Sequence, residues 1–413
     1  MIKSDSPAGR WDFLKGNIGV MLLSSGLWNI AGSMTWPFYA LYVLELGGRH
    51  IDIGLISAVG AITRIVPTLF GGYLADTLGR KKILYSMSFF LALNTLMFAY
   101  APDFRFLFLA TILEALFSGI RDPAFMSLLA DSTTPDNRAT TMALWQVVPS
   151  LFGLLSPYAI GLVMDVRGIL PAMRFAYTLT FLLATVASFL RYRYLEETLE
   201  NGKGVSMSPK TAAREILSDF TETLRNLPKA LWTFLVIDFV FTFAWAVAEP
   251  YFVTYAKEEV GVLASQWGAI TVIVMIARLV LMPPLARASD KHGRMKFIIP
   301  TMFLWPVSFF LFAVAGSYQG ILTARLLLAV AGCIGDPAWE AIFYDYSPKE
   351  HRGRFSAIAQ VSWSLIWGAG NVVGGAIYQG YSKALVFYLS VGLFVVGAVA
   401  AVLKVKEPER REE

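Results

Sequence analysis

The chain holds one cysteine, Cys333, so no internal disulfide can form. Only 16% of its residues are charged, against about 25% in soluble globular proteins, which excludes an ordinary water-facing surface. Histidine is as scarce: His50, His292 and His351 stand in or beside predicted loops. With no H-E-x-x-H pair and no Ser-His-Asp grouping inside the apolar segments, neither a zinc hydrolase nor a triad enzyme is expected. No G-x-x-x-x-G-K-[ST] sequence occurs, which argues against a nucleotide-driven pump. No catalytic residue, metal site or cofactor is therefore predicted, and the chain does not read as an enzyme.

Apolar sequence is abundant, at 56% of residues with a mean hydropathy of +0.56. Runs such as 85–100, 175–190, 231–255, 266–286 and 384–403 approach the ~20 residues with which an α-helix crosses the hydrocarbon core. They lack the short alternating pattern of a β-barrel. Twelve helices are predicted, over about 17–44, 53–73, 83–101, 106–129, 141–164, 175–193, 229–256, 266–286, 297–315, 321–343, 355–378 and 384–404. The start Met1–Lys15 leads into an apolar segment too long for a signal-peptide core, so the first helix is expected to stay.

A shift of 214 positions lays the chain onto itself. Asp76 falls on Asp290, Gly79 on Gly293, Arg80 on Arg294, and Asp122-Pro123-Ala124 on Asp336-Pro337-Ala338; Arg64, Arg138 and Gln146 meet Arg278, Arg352 and Gln360. A repeat of half the chain is a domain-sized unit. The predicted organisation is an N-terminal six-helix bundle over 1–192, a linker over 193–228 and a C-terminal six-helix bundle over 229–413. In the linker, Ser208-Pro209 can cap a helix, and Ile216, Leu217, Phe220, Leu224 and Leu227 recur at helical spacing. It reads either as a surface amphipathic helix or as a plain tether.

Lysine and arginine crowd the loops on the side of the termini, as in Arg80-Lys81-Lys82, Arg287 to Lys296 and Lys203 to Lys229, and are sparse opposite, where Arg49, Arg105 and Lys383 stand. By the positive-inside rule both termini are expected in the cytoplasm, in a multi-pass protein of the cell membrane. The net charge of +5 is dispersed over loops and is not a nucleic-acid footprint.

Gly72-Tyr73-Leu74-Ala75-Asp76-Thr77-Leu78-Gly79-Arg80-Lys81-Lys82, between the second and third helices, resembles the signature loop of the major facilitator superfamily, with Thr77 where that family carries a basic residue. Asp290-Lys291-His292-Gly293-Arg294 is its copy in the second half. Gly153 to Gly161 is similar to the glycine-proline motif of the drug:proton antiporter branch, with Ser156 in place of a glycine. The resemblance implies twelve helices in two pseudo-symmetric bundles, a cavity lined by helices 1, 4, 7 and 10, and alternating access. It also implies a conformational role for Gly72, Asp76, Gly79, Arg80, Asp290, Gly293 and Arg294, with Asp76 joining the halves near the start of helix 11.

An ionised side chain at mid-membrane costs at least ~2.5 kcal/mol unless it has a partner or a wet cavity. Arg64 with Asp122, and Arg278 with Asp336, recur in both halves and read as paired structural charges. Glu114, Arg121, Asp238, Glu249, Arg325 and Glu340 break the symmetry and are the candidates for proton coupling and substrate binding. Asp238, Trp245 and Glu249 share one face of helix 7 by their spacing. Trp36, Trp245 and Trp339 are candidate cavity aromatics. The sequence thus reads as a secondary transporter, expected to be a monomer, that takes a small-molecule substrate and is coupled to protons. The leading substrate class is small amphipathic or cationic compounds, exported. The alternatives are a sugar or organic-anion carrier and a flippase for lipid-linked substrates.

Overall fold

A computed structural model of the chain describes residues 14–199, 227–347 and 352–405. The predicted amphipathic segment of the linker, and Lys349 and His351, lie outside the described residues. All regular structure among those described is helical.

The N-terminal half carries α1 (Asn17–Thr35, continued as Tyr39–Glu45), α2 (His50–Leu78), α3 (Arg80–Ala99), α4 (Phe104–Asp131), α5 (Arg138–Gly153, continued as Ser156–Arg167) and α6 (Ile169–Tyr194). The C-terminal half repeats them as α7 (Lys229–Ala248, continued as Phe252–Glu258), α8 (Ala264–His292), α9 (Met295–Ala313), α10 (Tyr318–Tyr346), α11 (Arg352–Gly380) and α12 (Leu385–Lys404). Among the described residues, nine helices are long and apolar enough to span a bilayer. α4 is not one of them, because Glu114, Arg121 and Asp122 sit in its middle.

α1 and α7, predicted as unbroken, are each interrupted by one 3-10 turn, Trp36–Phe38 and Glu249–Tyr251. Pro37 and Pro250 are the middle residues of those turns, where a missing N–H breaks the α-helical bonding. The turns after α2 and α8 fall on the repeat pair Gly79 (φ 96°) and Gly293 (φ 101°), a conformation that a side chain resists.

Packing obeys the repeat. The α2–α4, α3–α6, α1–α6 and α1–α5 contacts have counterparts in α8–α10, α9–α12, α7–α12 and α7–α11. The halves meet along two mated seams, α2 against α11 and the second part of α5 against α8. Glycines bring those seams together: a Cβ on Gly54 would stand 2.1 Å from the Asn371 carbonyl oxygen, one on Gly161 2.6 Å from Ala264 O, and one on Gly268 2.3 Å from Pro157 O.

Polar contacts reinforce the closure. The Tyr251 hydroxyl donates to the carbonyls of His50 and Asn371, and Asp165 accepts from the Ala264 and Ser265 amides at the start of α8, where a helix N-terminus favours a carboxylate. His50 lies 2.9 Å from Glu258, which also accepts from Tyr378 and pairs with Lys383. A 2.7 Å bond to Glu259 holds the Lys383 ammonium above its usual range, so Lys383 stays charged at ordinary pH. These contacts all lie on the side away from the termini, which closes the far side of the space between the halves.

Candidate functional site

Between the halves lies a cavity of about 1090 Å³, walled by α1, α2, α3, α4 and α6 of the first half and by α11 and Glu249 of the second. Trp28, Trp36, Tyr39, Trp363 and Trp367 give it aromatic faces, and Arg64, Glu114, Arg121, Asp122 and Glu249 supply charge. A second chamber of about 850 Å³ adjoins it across Trp28, Trp36, Arg121 and Asp122 and runs between α1, α4, α5 and α8. Gly153 and Gly161 let α5 pass close by: a Cβ on Gly153 would meet the Asn29 side chain at 2.3 Å.

Asp122 collects two guanidinium groups. Arg64 donates to Oδ2, and Arg121 to Oδ1 through Nε at 2.9 Å and Nη2 at 2.7 Å. The repeat mate is simpler, with Arg278 donating to Asp336 at 3.0 Å. Arg121 is therefore tied to Asp122 while its guanidinium lies 5.5 Å from the Trp28 ring centre. These pairs are not sealed from water: the Arg64 and Asp122 side chains are 49% and 33% exposed. Breaking one should cost less than the ~3–5 kcal/mol of a fully buried pair and more than the ~0–1 kcal/mol of a surface pair. An unfolding double-mutant cycle on Arg64→Ala and Asp122→Ala should show coupling of about 1–2 kcal/mol; additive effects would make the contact energetically idle.

The other intramembrane charges separate by environment. Glu114 opens into the large cavity with no hydrogen bond among the described residues, within electrostatic range of Arg64 and Arg121. Glu249 lines the opposite wall from the broken turn of α7, with Arg325 as its cation in range. Arg325 is wedged between Phe252 and Trp267, 4.7 and 5.6 Å from the ring centres, and its Nε is buried without a partner. Glu340 is exposed on α10 and lines neither chamber.

Asp238 corrects the single-face reading of α7. It is 7% exposed and does not line the cavity. Trp339 on α10 donates its indole N–H to Oδ1 at 2.6 Å, and Trp363 on α11 donates to Oδ2. Trp245 is turned into its own bundle, edge-on to Phe309 and Phe394, and Trp339 packs on Phe234 and Phe241. Neither lines either chamber; of the three tryptophans singled out in the sequence Trp36, 69% exposed, does. Spacing on one helix gives the face but not its direction, and the broken turn at Glu249–Tyr251 separates Glu249 from the register of Asp238.

At the signature loop, Asp76 accepts from Arg80 within its own half, at 3.1 and 3.2 Å, and Arg80 also pairs with Asp131. Asp290, Arg294 and Asp345 form the mate. Asp131 and Asp345 also obey the 214 offset, a signal available in the sequence and missed. Glu197 accepts from the amides of Arg80 and Lys81 and so caps the start of α3. Gly72 needs no closeness here, since a Cβ there meets nothing within 4 Å; Gly71 is the tight position, 2.8 Å from Gly119 O.

Sequence reasoning also missed Arg191. It lies inside α6 near the end of the predicted span, 2% exposed, and lines the smaller chamber.

The chain matches the model of the Major Facilitator Superfamily over residues 21–261 and 234–413. It is 26% identical to the multidrug resistance protein MdtG of Salmonella typhi, over 97% of this chain and 96% of that one. With MdtG of Klebsiella pneumoniae it is again 26% identical, over 99% and 97%. Among solved structures, the nucleoside transporter NupG superposes with a TM-score of 0.76 at 13% identity, over 94% of this chain and 99% of that one. The human organic anion transporter MFSD10 superposes at 0.67 and 18% identity, over 93% and 98%. With two copies of one six-helix unit, a cavity between them and the signature loop in each half, this chain belongs to the Major Facilitator Superfamily of membrane transporters.

Proposed function

We propose that the protein exports small amphipathic compounds in exchange for protons, as a monomer with both termini in the cytoplasm. The observation that carries this reading is the large aromatic cavity with two carboxylates, Glu114 and Glu249, that face it without a hydrogen bond among the described residues. A carboxylate with no direct bond, set beside aromatic faces, can hold either a proton or an organic cation, the latter also by cation–π contact. The full-length likeness to proteins named for multidrug resistance supports the substrate class. The concentration of Lys and Arg on the terminal side supports the orientation.

Residues 1–192 and 229–413 would act as the two moving bodies, with 193–228 as their tether. In inverted membrane vesicles, acidifying the lumen should drive accumulation of tetraphenylphosphonium at least several-fold above vesicles lacking the protein, and a protonophore should collapse it. Accumulation indifferent to the pH gradient would rule out proton exchange.

A further inference from the structure

We propose that Arg191 forms a subsite for the anionic group of an amphipathic substrate in the chamber between α1, α4, α5 and α8. The proposal rests on the export reading above and names a substrate class within it: amphiphiles that carry a carboxylate, sulfonate or phosphate.

The argument begins with what surrounds the guanidinium. Nε donates to Ser24 at 3.0 Å and one terminal nitrogen to Ser88 at 2.8 Å. Both acceptors are neutral hydroxyls, from α1 and α3. The Phe125 ring lies beneath, 5.6 Å from centre to Cζ. The other terminal nitrogen has no partner, and no carboxylate pairs with Arg191 among the described residues. Burying a guanidinium this deeply without a counter-ion is unfavourable, and a purely structural arginine would be expected to hold the acid that Arg64 and Arg278 each hold.

The charges within range do not supply that acid. They are Arg121 and Asp122, and Asp122 already serves Arg64 and Arg121. Across the two adjoining chambers three guanidiniums, Arg64, Arg121 and Arg191, stand against two acids, Asp122 and Glu114, and Arg191 is the one with no acid in contact among the described residues. That charge lies in a chamber whose other lining includes Trp28, Trp145 and Met126 for an apolar body and Asn29 and Gln146 for hydrogen bonds. An incoming anion would complete the guanidinium with a charge-assisted bond, the stronger class of hydrogen bond. The repeat sharpens the case: position 405, the mate of Arg191, is Val405, so the cation is not part of the shared bundle architecture.

The test uses the purified full-length protein in nanodiscs and two probes of nearly equal shape, 1-naphthaleneacetate and its neutral amide. The wild type should bind the carboxylate about tenfold or more tightly than the amide, the worth of a hydrogen bond to a charged group. Arg191→Gln should reduce that ratio to near one, and Arg191→Lys, which keeps the charge but not the fork, should retain part of it. Equal wild-type binding of both probes, or a ratio unchanged in Arg191→Gln, overturns the subsite. Should Arg191→Gln not fold, Ser88→Ala leaves the charge in place but frees the arm that Ser88 orients; a ratio unmoved there counts against the proposal. Tetraphenylphosphonium accumulation by the wild type separately decides the export reading, so either idea can fail alone.

Discussion

Gly54→Ala should open the far side of the molecule. The added methyl carbon would lie 2.1 Å from the Asn371 carbonyl oxygen and 2.9 Å from the Tyr251 hydroxyl. A backbone carbonyl cannot rotate away, so α2 and α11 must part at the seam that closes the cavity. Overpacking of this kind costs about 1–3 kcal/mol, which in a two-state carrier is a roughly 5- to 150-fold shift in the ratio of states. Spin labels at Arg49→Cys and Tyr381→Cys, on a Cys333→Ala background, should report a longer distance in Gly54→Ala than in its parent. Gly392→Ala, on α12 and away from the seam, is the control, because a Cβ there meets nothing within 4 Å. An unchanged distance distribution in a stably folded Gly54→Ala protein would mean that the α2–α11 seam does not hold the closed state.

Why Gly54 was invisible in the sequence bears on how much of the protein could be read there. The twelve helices and the repeat were legible, because spans need long apolar runs and an offset of 214 repeats charged residues whose chance recurrence is small. The contact of Arg64 with Asp122 was legible for the same reason. Gly54 carries no such mark: it matters only because a particular carbonyl of α11 faces it, and that is set by packing between halves. Asp238 shows the opposite failure. An acid in an apolar run signals something unusual, yet whether it meets the cavity or two indoles depends on the roll of α7 about its axis, which neighbouring helices decide. Arg191 misled for a third reason. Near the end of a span, arginine commonly reaches the interface, and only burial against Ser24 and Ser88 distinguishes this one.

Glu114→Gln should abolish proton-driven accumulation while leaving substrate exchange in place. Of the candidate acids, Asp238 is occupied on both oxygens by Trp339 and Trp363, and Glu340 lines neither chamber. Glu249 faces the cavity with Arg325 as its cation in range. Neither Glu114 nor Glu249 has a direct bond to lose among the described residues, but Glu114 is the more exposed of the two, so the cavity gives proton and substrate the more open route to it. Glutamine copies the protonated acid. Accumulation of tetraphenylphosphonium under an acid-lumen gradient should fall at least tenfold, to the level of vesicles lacking the protein, and binding should become indifferent to pH. Counterflow, which needs no net proton movement, should persist and so distinguish lost coupling from lost folding. Asp238→Asn should behave differently. It keeps one carbonyl oxygen for two indole donors, stranding one at a cost of about 1–3 kcal/mol of stability, with a shift in tryptophan emission, yet it should still respond to the gradient. Uphill transport with an unchanged pH dependence in Glu114→Gln would move the coupling role to Glu249, the other acid named on the cavity wall, whose protonation would leave the Arg325 cation without its counter-charge in each cycle.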